Sequence, residues 1–198
     1  MSALVFHRRE ARDRFGLKGP RAAEWLAGHG IVVPTTPNTW SASPVARGAA
    51  AAHGEARVHD AALFAARLGT GEFFLEDCAG GTTLRGIAPS AEAYPPGVYP
   101  VLREDAAFLL SGQGSLDVLA QVCNVNFAAL ALDSHPVIMT LMIGVAVLVV
   151  PQTPGAPRDG VAERLYRIWC DPTFGPYVEE SLETVVVECG GNYRGVSE

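Results

Sequence analysis

One segment is written twice in this chain, and that repetition constrains the fold more than any other feature. Phe15 to Leu26, FGLKGPRAAEWL, aligns without a gap with Phe108 to Leu119, FLLSGQGSLDVL. In the second copy, Ala106 to Leu110 reads as a buried strand, Ser111 to Gly114 as a glycine turn and Ser115 to Cys123 as a helix. Ser115 and Asp117 suit the helix start, where short oxygens accept orphan N–H groups and negative charge meets the positive end of the dipole. Leu116, Leu119, Ala120 and Cys123 recur at helical spacing and form one apolar stripe. In the first copy Pro20 takes the first helical position, where its missing N–H costs nothing. A strand–glycine–helix unit used twice implies a pseudo-duplicated domain.

The flanking residues fit that plan. Residues 1–10 carry Arg8 and Arg9 without periodicity and read as an arm. Arg14 to Lys18 is a short strand and Arg21 to Ala27 a helix. Val33 to Trp40 holds two prolines and cannot be regular structure. Ser41 to His53 reads as a linker or insertion, within an alanine-rich segment over 41–60. Ala61–Leu68 and Glu72–Glu76 form a hairpin about Gly69-Thr70-Gly71, where glycines supply positive φ. Cys78 to Pro89 reads as loop, and Pro95-Pro96 as a joint between the halves. In the second half an apolar hairpin spans 137–150 about Gly144. Residues 151–160 are a solvent loop, and Arg164 to Cys170 alternates as a strand. Asp171 caps a last helix over 172–187, and the tail from 190 to 198 frays. The expectation is a single α+β domain over 11–189, with halves of about 11–95 and 96–189. Two β-α-β-β units contribute antiparallel sheet, and helices flank it because short amphipathic helices bury their stripes only against sheet.

Composition narrows function. The 198 residues carry 48% hydrophobic and 18% charged residues and a net charge of −6, which fits a folded protein and speaks against a phosphate backbone as partner. Cys78, Cys123, Cys170 and Cys189 form no C-x-x-C pair, so neither a metal site nor a disulfide framework is expected. The most apolar run, Val137 to Val150, is shorter than the roughly 20 residues of a membrane helix. No membrane contact is expected.

Gly112-x-Gly114 between strand and helix invites a dinucleotide reading, with Asp133 placed for a ribose. The third glycine is missing, however, and Asp117 in its place would repel a pyrophosphate. His7, His29, His53, His59 and His135 have no ligand partner at i+4, and no serine lies in a G-x-S-x-G context. No catalytic, cofactor-binding or metal-binding residue is therefore expected. Trp40, after its proline loop, and Arg164, Tyr166, Arg167 and Trp169 are the candidate interface residues, since aromatics and arginine are enriched where proteins meet.

Several stretches together resemble the gamma (small) subunit of heterotetrameric sarcosine oxidase, a relative of the folate-binding domain of the glycine-cleavage T-protein. They are Phe15–Leu26, Pro34-x-x-Pro37-Asn38 with Trp40, and Ala66-Arg67-Leu68-Gly69 with Glu72 and Phe73. Further on they are Gly112-x-Gly-Ser with Leu119, Thr140 with Gly144-Val145, and Tyr166–Trp169 with Phe174, Tyr177 and Leu182. The resemblance implies a cytoplasmic complex with alpha, beta and delta partner subunits that demethylates sarcosine to glycine using tetrahydrofolate and oxygen. It implies that FAD, FMN, NAD, tetrahydrofolate and zinc sit on the partners, and that this chain serves structure and assembly. Cys170-Asp171-Pro172 and the 41–60 segment depart from the pattern. They leave room for a sister complex acting on another N-methyl amino acid, such as an N-methylglutamate dehydrogenase. A stand-alone folate-binding protein like an aminomethyltransferase is the remaining alternative.

Overall fold

The computed structural model describes residues 3–9, 12–44, 61–77, 83–87, 94–153 and 164–197. The chain forms two compact units. One is continuous, Arg12–Arg103; the other joins Met1–Ala11 to Glu104–Glu198.

In the continuous unit the strands are β2 (Arg14–Lys18), β3 (Thr39–Pro44), β4 (Ala61–Gly69), β5 (Glu72–Asp77) and β6 (Tyr99–Val101). They form an antiparallel sheet in the order β3-β4-β5-β2-β6. Helix α1 (Ala22–Gly28) has only seven residues, too few to persist alone. It is held because Ala22 and Leu26, one turn apart, are buried with Phe15, Leu17, Leu63, Phe73 and Leu75 of the sheet. A short helix α2 (Thr83–Ile87) adds Leu84. The alternate residues of the sheet are buried too: Phe64, Ala66, Phe74 and Glu76 have no exposed surface. That is why β4 and β5 read as nearly unbroken apolar runs. Burial of Glu76 demands a counter-charge, and its cross-strand neighbour Arg14 supplies one at 2.6 Å.

In the other unit the strands are β1 (Val5–Arg9), β7 (Ala106–Ser111), β8 (Ile138–Met142), β9 (Val145–Gln152), β10 (Leu165–Cys170) and β11 (Asn192–Ser197). The order is β11-β1-β7-β10-β9-β8, antiparallel except for β1 with β11. Helices α3 (Ser115–Val122) and α4 (Gly175–Glu188) bury Val118, Leu119 and Val122, and Val178, Leu182 and Val186. These pack with Phe6, Phe108, Leu110, Tyr166 and Ile168. The β8–β9 hairpin turns at Ile143 (φ 47°) and Gly144 (φ 82°), the two positive angles of a type I′ turn.

The duplication is real at the level of register. The order β3-β4-β5-β2-β6 of one sheet is matched by β8-β9-β10-β7-β1 of the other. Leu17 stands opposite Phe73 and Pro100, while its aligned residue Leu110 stands opposite Tyr166 and Phe6. Several expectations are corrected. Residues 5–9 are no arm: β1 fills the place that β6 takes in the other sheet. The tail forms β11, the alanine-rich segment begins with β3, and the glycine-rich loop contains α2. The joint falls at Arg103/Glu104, not at the paired prolines. The last helix, expected over 172–187, opens with a 3₁₀ turn at Pro172–Phe174, where Asp171 accepts from the Thr173 N–H.

Candidate functional site

The glycine turn is a close approach of backbone to backbone. Gly112 has φ 94°, and a Cβ built there would lie 2.1 Å from the carbonyl oxygen of Ala3. Gly19, its counterpart, has φ 125°, and its Cβ would lie 2.2 Å from the carbonyl oxygen of Gly97. The space a pyrophosphate would need beside Gly112 is thus filled by the chain entering β1. Gly114 (φ 90°) ends the turn, and its carbonyl accepts from the N–H groups of Asp117 and Val118. These glycines are required by the fold, and the sheets beside them are not the parallel, doubly wound kind that binds dinucleotides.

The candidate interface residues lie mostly inside the chain. Trp40 on β3 is 8% exposed, with its ring 5.9 Å from that of Phe64. On β10, Tyr166 faces the helices and meets Phe127 edge-on at 5.6 Å. Arg167 and Trp169 face the other way, both buried, with the guanidinium 5.0 Å from the Trp169 ring centre. Arg164 is half-buried and donates to the Phe127 carbonyl at 2.8 Å. The alternation of arginine and aromatics comes from a strand buried on both faces. Trp40, Tyr166, Arg167 and Trp169 therefore offer a partner little surface, which corrects the interface reading for those four. Burial pushes the Tyr166 phenol up from its ordinary value, against the opposing charge of Arg164.

Among the described residues no group of three or more His, Cys, Asp or Glu is placed to hold a metal ion. Cys170 is buried beside Asp105 and Asp171, and its thiol is pushed up to about 11, chiefly by burial, so it is a poor nucleophile. Cys123 is buried and Cys189 half-buried; Cys78, His53 and His59 fall outside the described residues. A shallow cleft of about 190 Å³ opens on α1 between Arg21, Trp25, His29 and Pro95. The His29 ring lies tilted against that of Trp25, centres 4.0 Å apart, and its Nδ1–H donates to the Trp25 carbonyl. The cleft is smaller than the roughly 300 Å³ at which small-molecule sites begin. Its Arg21 is taken up by Glu24 at 3.2 Å. Nor is any helix among the described residues long and apolar enough to cross a membrane.

No family model matches the sequence, and no curated protein matches it. Solved structures do match. The glycine cleavage system aminomethyltransferase T from Bartonella henselae aligns with a TM-score of 0.61 and 14% identity over 98% of this chain. The chain spans about half of that protein, 48% of its length. Heterotetrameric sarcosine oxidase from Corynebacterium sp. U-96, solved with pyrrole 2-carboxylate, aligns with a TM-score of 0.65 and 16% identity over 96% of this chain and 86% of the matched one. The fold is the α+β arrangement these two proteins share.

Proposed function

We propose that this chain is a non-catalytic, gamma-type assembly subunit of a heterotetrameric sarcosine oxidase. Its alpha, beta and delta partners would carry FAD, FMN, NAD, zinc and tetrahydrofolate and oxidise sarcosine to glycine in the cytoplasm. The observation that carries the reading is the extent of the match. The chain is aligned with nearly a whole chain of the heterotetrameric enzyme but with only half of the aminomethyltransferase, so it corresponds in size to a subunit. The motifs from Phe15–Leu26 to Tyr166–Trp169 support it from the sequence side.

The half-length match to aminomethyltransferase T keeps a second reading in view, a stand-alone folate-binding protein. A sister complex oxidising another N-methyl amino acid is the same proposal with a different substrate, which the partner subunits would select. Co-expression with alpha- and beta-type flavoprotein subunits and a delta-type subunit tests the proposal. The expected result is a stoichiometric yellow complex with sarcosine-dependent oxygen uptake, while the lone chain stays colourless and does not bind tetrahydrofolate. Micromolar tetrahydrofolate binding by the lone chain, with no complex formed, would favour the stand-alone protein.

A further inference from the structure

The four sheet edges are not equally protected. An exposed strand edge invites pairing with another chain, and proteins blunt it with short strands, charge, proline or a bulge. Strand β3 ends in a bulge at Ser43/Pro44, β6 has three residues with Pro100 at its centre, and β11 carries Arg194 and Gly195. Strand β8, Ile-Met-Thr-Leu-Met, has none of these devices. Among the described residues, the bridge to its outer side is made by Cys123 at Met142, at one end of the strand.

The same strand is apolar where it faces outward. Ile138, Thr140 and Met142 turn toward the helices, whereas Met139 and Leu141 are 51% and 62% exposed. Met139 stands opposite Leu148, and Leu148 stands opposite Trp169. Leu141 stands opposite the exposed Ala146. An apolar row therefore runs from the buried Trp169 outward to the sheet margin. None of Met139, Leu141, Ala146 and Leu148 carries charge.

We infer that the β8 margin receives an extended segment of a partner subunit, which pairs with the strand edge and lays apolar side chains at alternate positions over Met139 and Leu141. The inference rests on the subunit reading above. A second copy of this chain fits less well. A patch of four such side chains offers on the order of a few hundred Å², short of the roughly 800 Å² per partner of a stable dimer. Each copy also brings a net charge of −6 to a two-fold contact. An extended segment anchored elsewhere by its own subunit needs no such area, because strand addition draws on backbone hydrogen bonds and a few side-chain contacts.

The test uses the full chain co-expressed with the proposed flavoprotein subunits. The double variant Met139→Lys/Leu141→Lys places gatekeeping charge on exposed positions, so its thermal midpoint is expected to match the wild type. Recovery of the complex should fall at least tenfold. Leu102→Lys, on an 81% exposed position in the other unit, should change neither. Amide exchange at Ile138 to Leu141 should slow at least tenfold in the wild-type complex. Undiminished recovery of the double variant, with unchanged exchange in the complex, overturns the inference and leaves the subunit reading standing. A wild-type chain that forms no complex sinks the reading and the inference together. A wild-type homodimer abolished in the double variant overturns the partner in favour of a second copy.

Discussion

Replacing Gly112 by alanine should injure the molecule twice over. At φ 94° an L side chain sits in the left-handed region, which costs about 1–2 kcal/mol. The new Cβ also falls 2.1 Å from the Ala3 oxygen and 2.7 Å from its carbonyl carbon, where ordinary contact begins at 3.4 Å. Backbone at the entry to β1 must retreat by more than an ångström, and overpacking of that kind adds about 1–3 kcal/mol. The total, roughly 2–5 kcal/mol by those two terms, is a large part of the 5–15 kcal/mol that holds a typical domain. Gly114 supplies the internal control. Its φ is 90°, nearly the same, but a Cβ there meets nothing nearer than Leu4 Cδ2 at 3.5 Å. Gly114→Ala should therefore lose only the conformational part, about 1–2 kcal/mol. Equilibrium unfolding in urea followed by far-UV circular dichroism, with the slopes checked for constancy, gives both values. If Gly112→Ala proves no more damaging than Gly114→Ala, the close approach of the chain at Ala3 is not what selects glycine.

Two further substitutions probe buried charge. Glu76→Leu removes the carboxylate 2.6 Å from Arg14, whose side chain is 4% exposed, and should cost about 3–5 kcal/mol in the same unfolding assay; a loss below about 1 kcal/mol would show the pair to be near neutral. Asp77 is buried and accepts the Leu84 N–H at 3.1 Å, and burial raises its carboxyl above the ordinary value. The unfolded chain then releases that proton at lower pH than the folded one, so stability falls as pH rises from about 3.9 through the raised value. Asp77→Asn, which still offers an acceptor oxygen to Leu84, should gain on the wild type across that window and stay ahead at neutral pH. A stability difference between the two that is flat with pH would refute the assignment.

The pseudo-duplication was legible because its punctuation is chemical. Gly19 and Gly112 stand where no side chain fits, and Leu17 and Leu110 point into equivalent cores. The hairpins 61–76 and 137–150 were legible because glycine marks their turns. β1 was not, since Val-Phe-His-Arg-Arg shows no amphipathic period. Arg8 lies on the helix side of the sheet with Phe6 and is tolerated there through Glu179 of α4 at 2.9 Å. Glu179 in turn accepts from the Tyr193 hydroxyl and holds that phenol up at about 12. That network joins residues 8, 179 and 193, and no local pattern could announce it. β6 was hidden by its proline and its three-residue length. The interface reading of Trp40 and of β10 failed for a related reason. Aromatics beside arginine signal a surface that meets another surface, but a strand buried on both faces has the same composition.

The place of β1 in its sheet also sets an order of events during synthesis. Strand β1 lies between β7 and β11, and both partners follow it in the chain only after the whole of Arg12–Arg103 has been made. At about 5–20 residues per second, roughly a hundred residues separate β1 from β7 by several seconds or more. The continuous unit has its strands and α1 within one stretch of chain, so it can close on the ribosome while β1 waits with Phe6 and Leu4 uncovered. The split unit has long-range pairings throughout, which fold slowly. It is therefore in the nascent chain, more than in the finished protein, that this molecule is most open to mispairing or to the help of a chaperone.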